Sequence, residues 1–260
     1  MPHQSTLSGR TALVTGASSG IGAAIARKLL TEGARVHGLS RRLDALEQVS
    51  PEHFADGRFV PHPLDITDAA AVRELAAELA DGDPIDILVC GAGTNVNKRR
   101  FAELSDESFD LVMKTNVYGV FTVLSATLPQ LRDNNGDVVI ISSIAAHWSD
   151  HSGAAYGASK AALLGLAQGA SRDEHGNGVR VCSILPGLVD TPLLDLRPTP
   201  PPPEVREWAI HPDDIADTVA FVVGLPARTN IAEISVVATR LQSLGNTQQA
   251  TPTLPESLRS

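Results

Sequence analysis

The chain contains only two cysteines in 260 residues, Cys90 and Cys182. Both end apolar runs, and neither their number nor their spacing makes a disulfide framework or a metal site. Both read as reduced core residues. Positive charge is also scarce: 21 lysines and arginines face 30 acidic residues, a formal charge of −9. The cluster Lys98-Arg99-Arg100 is too small to reverse that balance, which argues against general nucleic-acid binding and toward small-molecule partners. No run of about 18 apolar residues occurs to suggest a membrane span. The start, Met1-Pro2-His3-Gln4-Ser5-Thr6, lacks the charged-then-apolar pattern of a secretory leader. A soluble, cytoplasmic protein is expected. His147 and His151 are four apart, but no carboxylate or cysteine completes a metal set, so no catalytic metal is expected. No internal repeat is visible.

What the chain does have is 43% hydrophobic residues, enough for one large α/β domain. Apolar runs at 11–15, 35–40, 58–63, 85–90, 137–141, 179–185 and 233–237 alternate with helical patterns near 20–32, 42–49, 68–80, 106–132, 153–172 and 213–224. Strands with little polar alternation are expected where helices cover both faces. The reading is a single-domain, doubly wound Rossmann fold with a parallel sheet of about seven strands over 1–240. Irregular segments at 91–105, 144–152 and 187–212 each follow a strand, so they gather at the carboxyl edge of the sheet and surround any site there. The last holds Arg197-Pro198-Thr199-Pro200-Pro201-Pro202-Pro203-Glu204, poor in amide donors and expected to be extended and stiff, as a lid over 188–212. The competing readings are an inert linker or a proline-motif ligand. Residues 241–260 are expected to be a loose tail or to pair with another subunit.

Three side chains at meaningful spacing carry the chemistry. Tyr156 and Lys160 lie four apart in an alanine-rich helical segment, hence on one face. A phenol titrates at about 10 when unperturbed, and a nearby ammonium favours the phenolate. Ser143 ends the strand-like run from Asp137, and its hydroxyl can hold a carbonyl oxygen. The competing reading, a solvated Tyr-x-x-x-Lys pair, loses weight beside the rest of the chain.

Thr15-Gly16-Ala17-Ser18-Ser19-Gly20-Ile21-Gly22 follows the first strand and opens the first helix. Glycines there allow a tight turn and close approach of a pyrophosphate, and the helix start supplies free N–H groups. After the second strand, where an acid would accept from ribose hydroxyls, stands Ser40-Arg41-Arg42. Arginine's planar fork suits a 2′-phosphate, so NADP(H) is expected over NAD(H); the alternative is that both arginines merely open a surface helix. Asp65, followed by Ile66, is placed to meet the adenine edge or to cap the next helix.

Together these motifs resemble the short-chain dehydrogenase/reductase family from Leu7 to about Val237. The resemblance rests on the glycine pattern at 15–22, Asn116 in Lys114-Thr115-Asn116-Val117-Tyr118-Gly119, the Ser143–Tyr156–Lys160 set, and Pro186-Gly187 with Thr191. It implies hydride transfer between a nicotinamide and a carbonyl or alcohol carbon. Tyr156 would be the general acid or base and Ser143 would orient the substrate oxygen. Lys160 would lower the tyrosine pKa and hold the nicotinamide ribose, while Asn116 would support a proton-relaying water. Thr191 and the backbone of Val189 would hold the carboxamide. One departure stands out: the family's Asn-Asn-Ala-Gly after the fourth strand is here Cys90-Gly91-Ala92-Gly93. Gly91, Ala92 and Gly93 still let the backbone pass the adenosine ribose, but the side-chain amides that brace the strands are missing.

The segment 187–237 is similar to the subgroup acting on hydroxy acids, serine-like substrates and small aldehydes, and the short lid favours a compact substrate. Thr94, Asn95, Asn97, Ala145, His147, Trp148, His151, Leu188 and Leu193 are expected around the pocket, with Arg99 or Arg100 able to bind a carboxylate. Asn95 and Asn97 also read as ordinary loop residues, and Trp148 as a packing residue. The alternative function is a dinucleotide-binding redox sensor without turnover, and a sugar-nucleotide epimerase or dehydratase ranks lower for its different glycine spacing. Small residues along 153–172 (Ala154, Ala158, Ala161, Ala162, Gly165) permit close helix contact, and the family resemblance implies a homodimer or homotetramer.

Overall fold

Strand β1, Thr11–Thr15, shows how the sheet is built. Ala12 and Val14 face one side, Leu13 the other, and all three are buried. The same alternation runs across the neighbouring strands, so that Val36, Ile87, Val89, Val139, Ile141 and Ile184 enter one core. Leu39, Leu88, Cys90, Val138, Ile140 and Val181 enter the other. Burial on both faces explains the near-continuous apolar runs.

The structure is a computed structural model, and it describes residues 7–245, 253, 254 and 256. After β1 come α1 (Gly20–Thr31), β2 (Arg35–Ser40), α2 (Leu43–Glu47), α3 (Pro51–Ala55), β3 (Phe59–Pro63), α4 (Ala69–Gly82) and β4 (Ile87–Cys90). The second half holds α5 (Asp106–Met113), a π-helical turn (Lys114–Tyr118), α6 (Gly119–Asp133), β5 (Asp137–Ile141), α7 (Ala154–Glu174), β6 (Arg180–Pro186), α8 (Pro203–Arg206), α9 (Pro212–Val223) and β7 (Glu233–Val236). The seven strands lie in the order β3-β2-β1-β4-β5-β6-β7, all parallel. Strand order reverses between β1 and β4, and ligands of such sheets bind in the crevice beyond that point.

The differences from the expected elements have local causes. The run at 85–90 becomes strand only at Ile87, because Ile85 N bonds Gln130 Oε1 at 3.0 Å and Ile85 O accepts from Asn134 Nδ2 at 3.1 Å. The proline-rich stretch is not extended throughout: a helical turn begins at Pro203, where a proline fits the first position of a helix. The Asp106–Asp133 helix meets the length and composition of a membrane span. Its Val120, Val123 and Leu131 are nevertheless core residues against the sheet, and Val112 is buried as well.

The amino edge of the sheet is tied by charge. Asp137, 2% exposed, lies 2.9 Å from Arg10 Nη2 and 2.7 Å from Arg180 Nε. Arg10 also pairs with Asp86, whose Oδ2 accepts from Thr11 N at 2.8 Å. These four residues join the starts of β1, β4, β5 and β6.

A second tie is the pair His37 on β2 and His62 on β3, with Nδ1 and Nε2 2.9 Å apart and rings stacked at 5.2 Å. Burial pushes His37 down to about 4, helped by His62 and Arg35 and opposed by Asp83. A histidine whose folded value lies below its unfolded 6.5 binds its proton better in the unfolded chain, so its contribution is lost as pH falls from 6.5 toward 4. Chemical denaturation should therefore show the native protein losing about 2 kcal/mol more than a His37→Gln variant between pH 7 and pH 5. Parallel pH profiles would contradict this.

Candidate active site

The ends of β1 and β4 meet backbone to backbone. Thr15 Oγ1 accepts from Gly91 N and Ala92 N, both at 3.1 Å. At Gly16, whose φ is +71°, a Cβ would fall 2.8 Å from Ala92 Cα; at Gly22 it would fall 2.3 Å from Gly16 O. Only glycine admits this approach. The same contact involves Gly91, one of the two positions where the chain departs from the family's Asn-Asn. A Cβ at Gly91 would stand 2.9 Å from Thr15 O, and the Thr15 hydroxyl, accepting from the Gly91 and Ala92 amides, braces the segment here. Cys90 is buried, which pushes its thiol up to about 12. Ser19 begins α1 without a side-chain cap, and the first turn carries no acid. Its N–H groups suit a pyrophosphate. Thr191 packs over this turn, with Cγ2 3.2 Å from where a Cβ at Gly20 would stand, and Ile21 lies against the adjoining core.

At the end of β2 the predicted phosphate-reading residues converge. Ser40 Oγ donates to Ser18 Oγ at 2.7 Å, and Arg42 Nη2 donates to the same oxygen at 3.4 Å. Arg41 and Arg42 are exposed. Two hydroxyls and the Arg42 guanidinium around one point, with Arg41 next in the chain, fit a phosphate monoester. Asp65 does not cap α4; that role falls to Asp68, which accepts from Ala70 N and Ala71 N at 3.1 Å. Burial raises the Asp65 carboxyl, but the Thr67 amide and the charges of Arg41 and Lys114 outweigh it and hold it below its usual range. Ile66 is buried against Gly119.

Helix α7 presents Tyr156 and Lys160 toward the end of β5. Lys160 Nζ sits 5.5 Å from the centre of the Tyr156 ring and donates to Ile141 O at 2.9 Å. Burial lowers the Lys160 ammonium to about 8. The expected depression of the tyrosine by this lysine is not found, because Nζ is turned onto the Ile141 carbonyl. Burial instead pushes Tyr156 up to about 12, against the pull of the Ser143 hydroxyl and the Arg197 and Arg99 guanidiniums. Ser143 opens a 3-10 turn at Ile144–Ala146, with Oγ accepting from Ala145 N at 3.2 Å and reaching Pro186 O at 3.5 Å.

Asn116 lies in the π-helical turn and is wholly buried. Its Oδ1 accepts from Thr94 N at 2.8 Å, and its Nδ2 donates to Thr94 O and Ser159 Oγ, each at 3.0 Å. The amide clamps the loop after β4 to α7 beside Gly93 and Lys160, so a water relay would have to use its main chain. A π turn frequently marks a functional position in a helix.

The loops close the site. After Pro186, Gly187 N bonds Val236 O at 2.7 Å, and Val189 forms a parallel bridge with Ile210. Leu188, expected in the pocket, is instead buried with Leu194, Val205 and Ala209 in a small core within the lid segment, where Leu241 also packs. Gln242 accepts from Leu188 N. The start of the expected tail thus rests on the body of the chain; most of its remainder lies outside the described residues. His147 pairs with Glu233 at 2.8 Å, and Trp148 packs on Ile144, Leu164 and Leu185. Asn95 is a buried tie, its Nδ2 donating to Ser152 O at 3.0 Å. The proline-rich stretch is joined to the loop after β4 by Arg99, whose Nη2 donates to Leu196 O at 2.6 Å, and the charges of Arg99 and Arg197 both act on Tyr156.

The chain as a whole is similar to known proteins. A family model described as short chain dehydrogenase matches residues 10–200. A serine 3-dehydrogenase of Rhizobium radiobacter is 36% identical over 234 residues, covering 87% of this chain and 93% of its own. An NADP-dependent 3-hydroxy acid dehydrogenase of Escherichia coli is 32% identical over 233 residues, covering 86% and 93%. Among solved structures, the closed form of a serine dehydrogenase complexed with NADP+ superposes with a TM-score of 0.82 at 30% identity, over 91% of this chain and 98% of that one. The glycine turn, the Ser143–Tyr156–Lys160 group and these likenesses agree: the chain belongs to the short-chain dehydrogenase family, oxidoreductases acting on alcohol groups.

Proposed function

We propose that the chain interconverts a small hydroxy acid and the corresponding oxo acid with NADP(H). The observation that carries the cofactor preference is the convergence of Ser18, Ser40 and Arg42 at the end of β2, with Arg41 beside them and no acid in their place. The relatives named for serine and 3-hydroxy acids support the substrate class. Residues 1–240 form the catalytic domain in this reading, with 188–212 as its lid.

The nicotinamide supplies the hydride acceptor or donor. The protein supplies the rest. The glycine turn and α1 hold the pyrophosphate, and Thr191 with the Val189 backbone holds the carboxamide. Lys160, 4% exposed beside Gly93, binds the nicotinamide ribose. Ser143 fixes the substrate oxygen. Tyr156 takes the hydroxyl proton during oxidation and returns it during reduction. Burial pushes its phenol up to about 12, so Tyr156 is protonated at neutral pH and stands ready as a proton donor. Oxidation requires the phenolate and gains rate as pH rises.

The outer face of α5, α6 and α7 carries an apolar groove of about 840 Å³ formed by Leu111, Met113, Val117, Tyr118, Phe121 and Leu166. Leu111 and Phe121 are each 50% exposed. We assign this face to contact with a second copy, giving a homodimer or homotetramer. A cytoplasmic location follows the same reading and is supported by the two buried free thiols.

Oxidation of serine and short 3-hydroxy acids should proceed faster with NADP+ than with NAD+, and its rate should climb between pH 7 and pH 10. Replacing both Arg41 and Arg42 by Asp should reduce the NADP+ over NAD+ preference by about 10²-fold or more, by setting like charge against the phosphate. An unchanged preference would contradict the cofactor assignment. Sedimentation velocity should give a dimer or tetramer, and Phe121→Asp should dissociate it; a monomeric parent protein would contradict the assigned interface.

A further inference from the structure

A side chain from beyond β7 holds the loop after β6. Leu188 is 1% exposed, so its amide must find a partner inside the protein. That partner is Gln242, whose Oε1 accepts from Leu188 N. The same side chain fills the space beside Gly187: a Cβ there would overlap Gln242 Oε1 and stand 3.0 Å from its Cδ, so a side chain at 187 would displace the amide. Gln242 reaches this point because the chain turns back after β7, with Leu241 N and Gln242 N donating to Ala238 O at 3.3 and 3.2 Å. Leu241 packs against the small core of the lid segment and against one of the two sheet cores. Arg240 places its guanidinium 4.5 Å from the centre of the Trp208 ring. Three consecutive residues, 240–242, thus grip the lid segment.

The other bonds of the loop show what that grip controls. Gly187 N donates to Val236 O at 2.7 Å, Ile210 N donates to Leu188 O at 2.9 Å, and Asp190 N donates to Ile210 O at 2.9 Å. Leu188 O and Asp190 N are the far ends of the two planar peptide units that carry Val189 N and Val189 O. Both units are therefore fixed in place by bonds that engage neither group of Val189 itself. Gln242 fixes the peptide unit before them. We infer that Gln242 is a positioning residue for the nicotinamide end of the cofactor: by latching Leu188 N, it sets where the Val189 backbone stands to receive the carboxamide. Gln242 Nε2 is buried and has no hydrogen-bond partner among the described residues, so the latch is made by the carbonyl end alone.

This inference rests on the proposed NADP(H) site and adds the residue that orders its nicotinamide end. The test titrates the full-length protein by calorimetry with NADP+ and with 2′-phospho-ADP-ribose, which is NADP+ without its nicotinamide. Gln242→Met keeps the length of the side chain and removes the acceptor. It should weaken NADP+ binding about 10-fold and leave 2′-phospho-ADP-ribose unchanged. Gln242→Glu keeps the acceptor and loses no donor bond, since Nε2 makes none, and should restore NADP+ binding. Should Gln242→Met fold poorly, Gln242→Asn, one methylene shorter and unable to span to Leu188 N, is read in the same two titrations. NADP+ affinity unchanged in these variants overturns the inference and leaves the cofactor reading standing. Equal weakening of both compounds also overturns it, by giving Gln242 a general part in the fold of the nucleotide site. So does a Gln242→Glu variant as weak as Gln242→Met. A native protein that binds neither compound overturns both the inference and the cofactor reading.

Discussion

The contact between the ends of β1 and β4 governs everything beyond the carboxyl edge of the sheet. There the main chain at 15–16 lies against the main chain at 91–92 with no space for a side chain, and the Thr15 hydroxyl takes two amides of the facing segment. A nucleotide cradle made of backbone needs this closeness, because N–H groups reach a pyrophosphate only where no Cβ intervenes. The contact also sets where the loop after β4 departs. Thr94 is thereby delivered to Asn116, and Asn116 to Ser159 on the helix that carries Tyr156 and Lys160. Hydrogen bonds, with the short segment 92–94 between them, thus link the nucleotide turn to the helix of the reacting residues.

Around Tyr156 two effects oppose each other. Burial favours the neutral phenol, and the positive charges of Arg197 and Arg99 with the Ser143 hydroxyl favour the phenolate. Burial prevails, which suits a proton donor to a carbonyl. Lys160 contributes differently from a simple charge partner. Its Nζ is anchored on Ile141 O, at the end of the strand that leads into Ser143, so the lysine ties α7 to β5 and holds the tyrosine and serine in register. The Ser142 hydroxyl repeats that tie by donating to Lys160 O at 2.9 Å.

Much of this was legible in the sequence because it is local. Strands buried on both faces read as plain apolar runs, and the glycine turn, Ser143 and the Tyr156–Lys160 spacing are contiguous or one helical turn apart. What was not legible depends on register or on distant segments. The stacked His37–His62 pair exists because β2 and β3 lie adjacent with this alignment. Arg99 reaches the Leu196 carbonyl only because the lid segment folds back across the β4 loop. Leu188 was expected in the pocket, but its neighbours in space, Val205 and Ala209, build a core of their own that takes it inward. The ionisation of Tyr156 reverses expectation for the same reason: helical spacing puts Lys160 near the ring, yet it does not say where Nζ points.

The central claim is that Tyr156 moves the proton. Its most direct test is the Tyr156→Phe variant, measured for turnover with a 3-hydroxy acid and, separately, for NADP+ affinity by nucleotide titration. Removing the hydroxyl alone should lower kcat by about 10²- to 10⁴-fold while NADP+ affinity changes little. A variant that kept most of its turnover would contradict the account and leave the proton to another group.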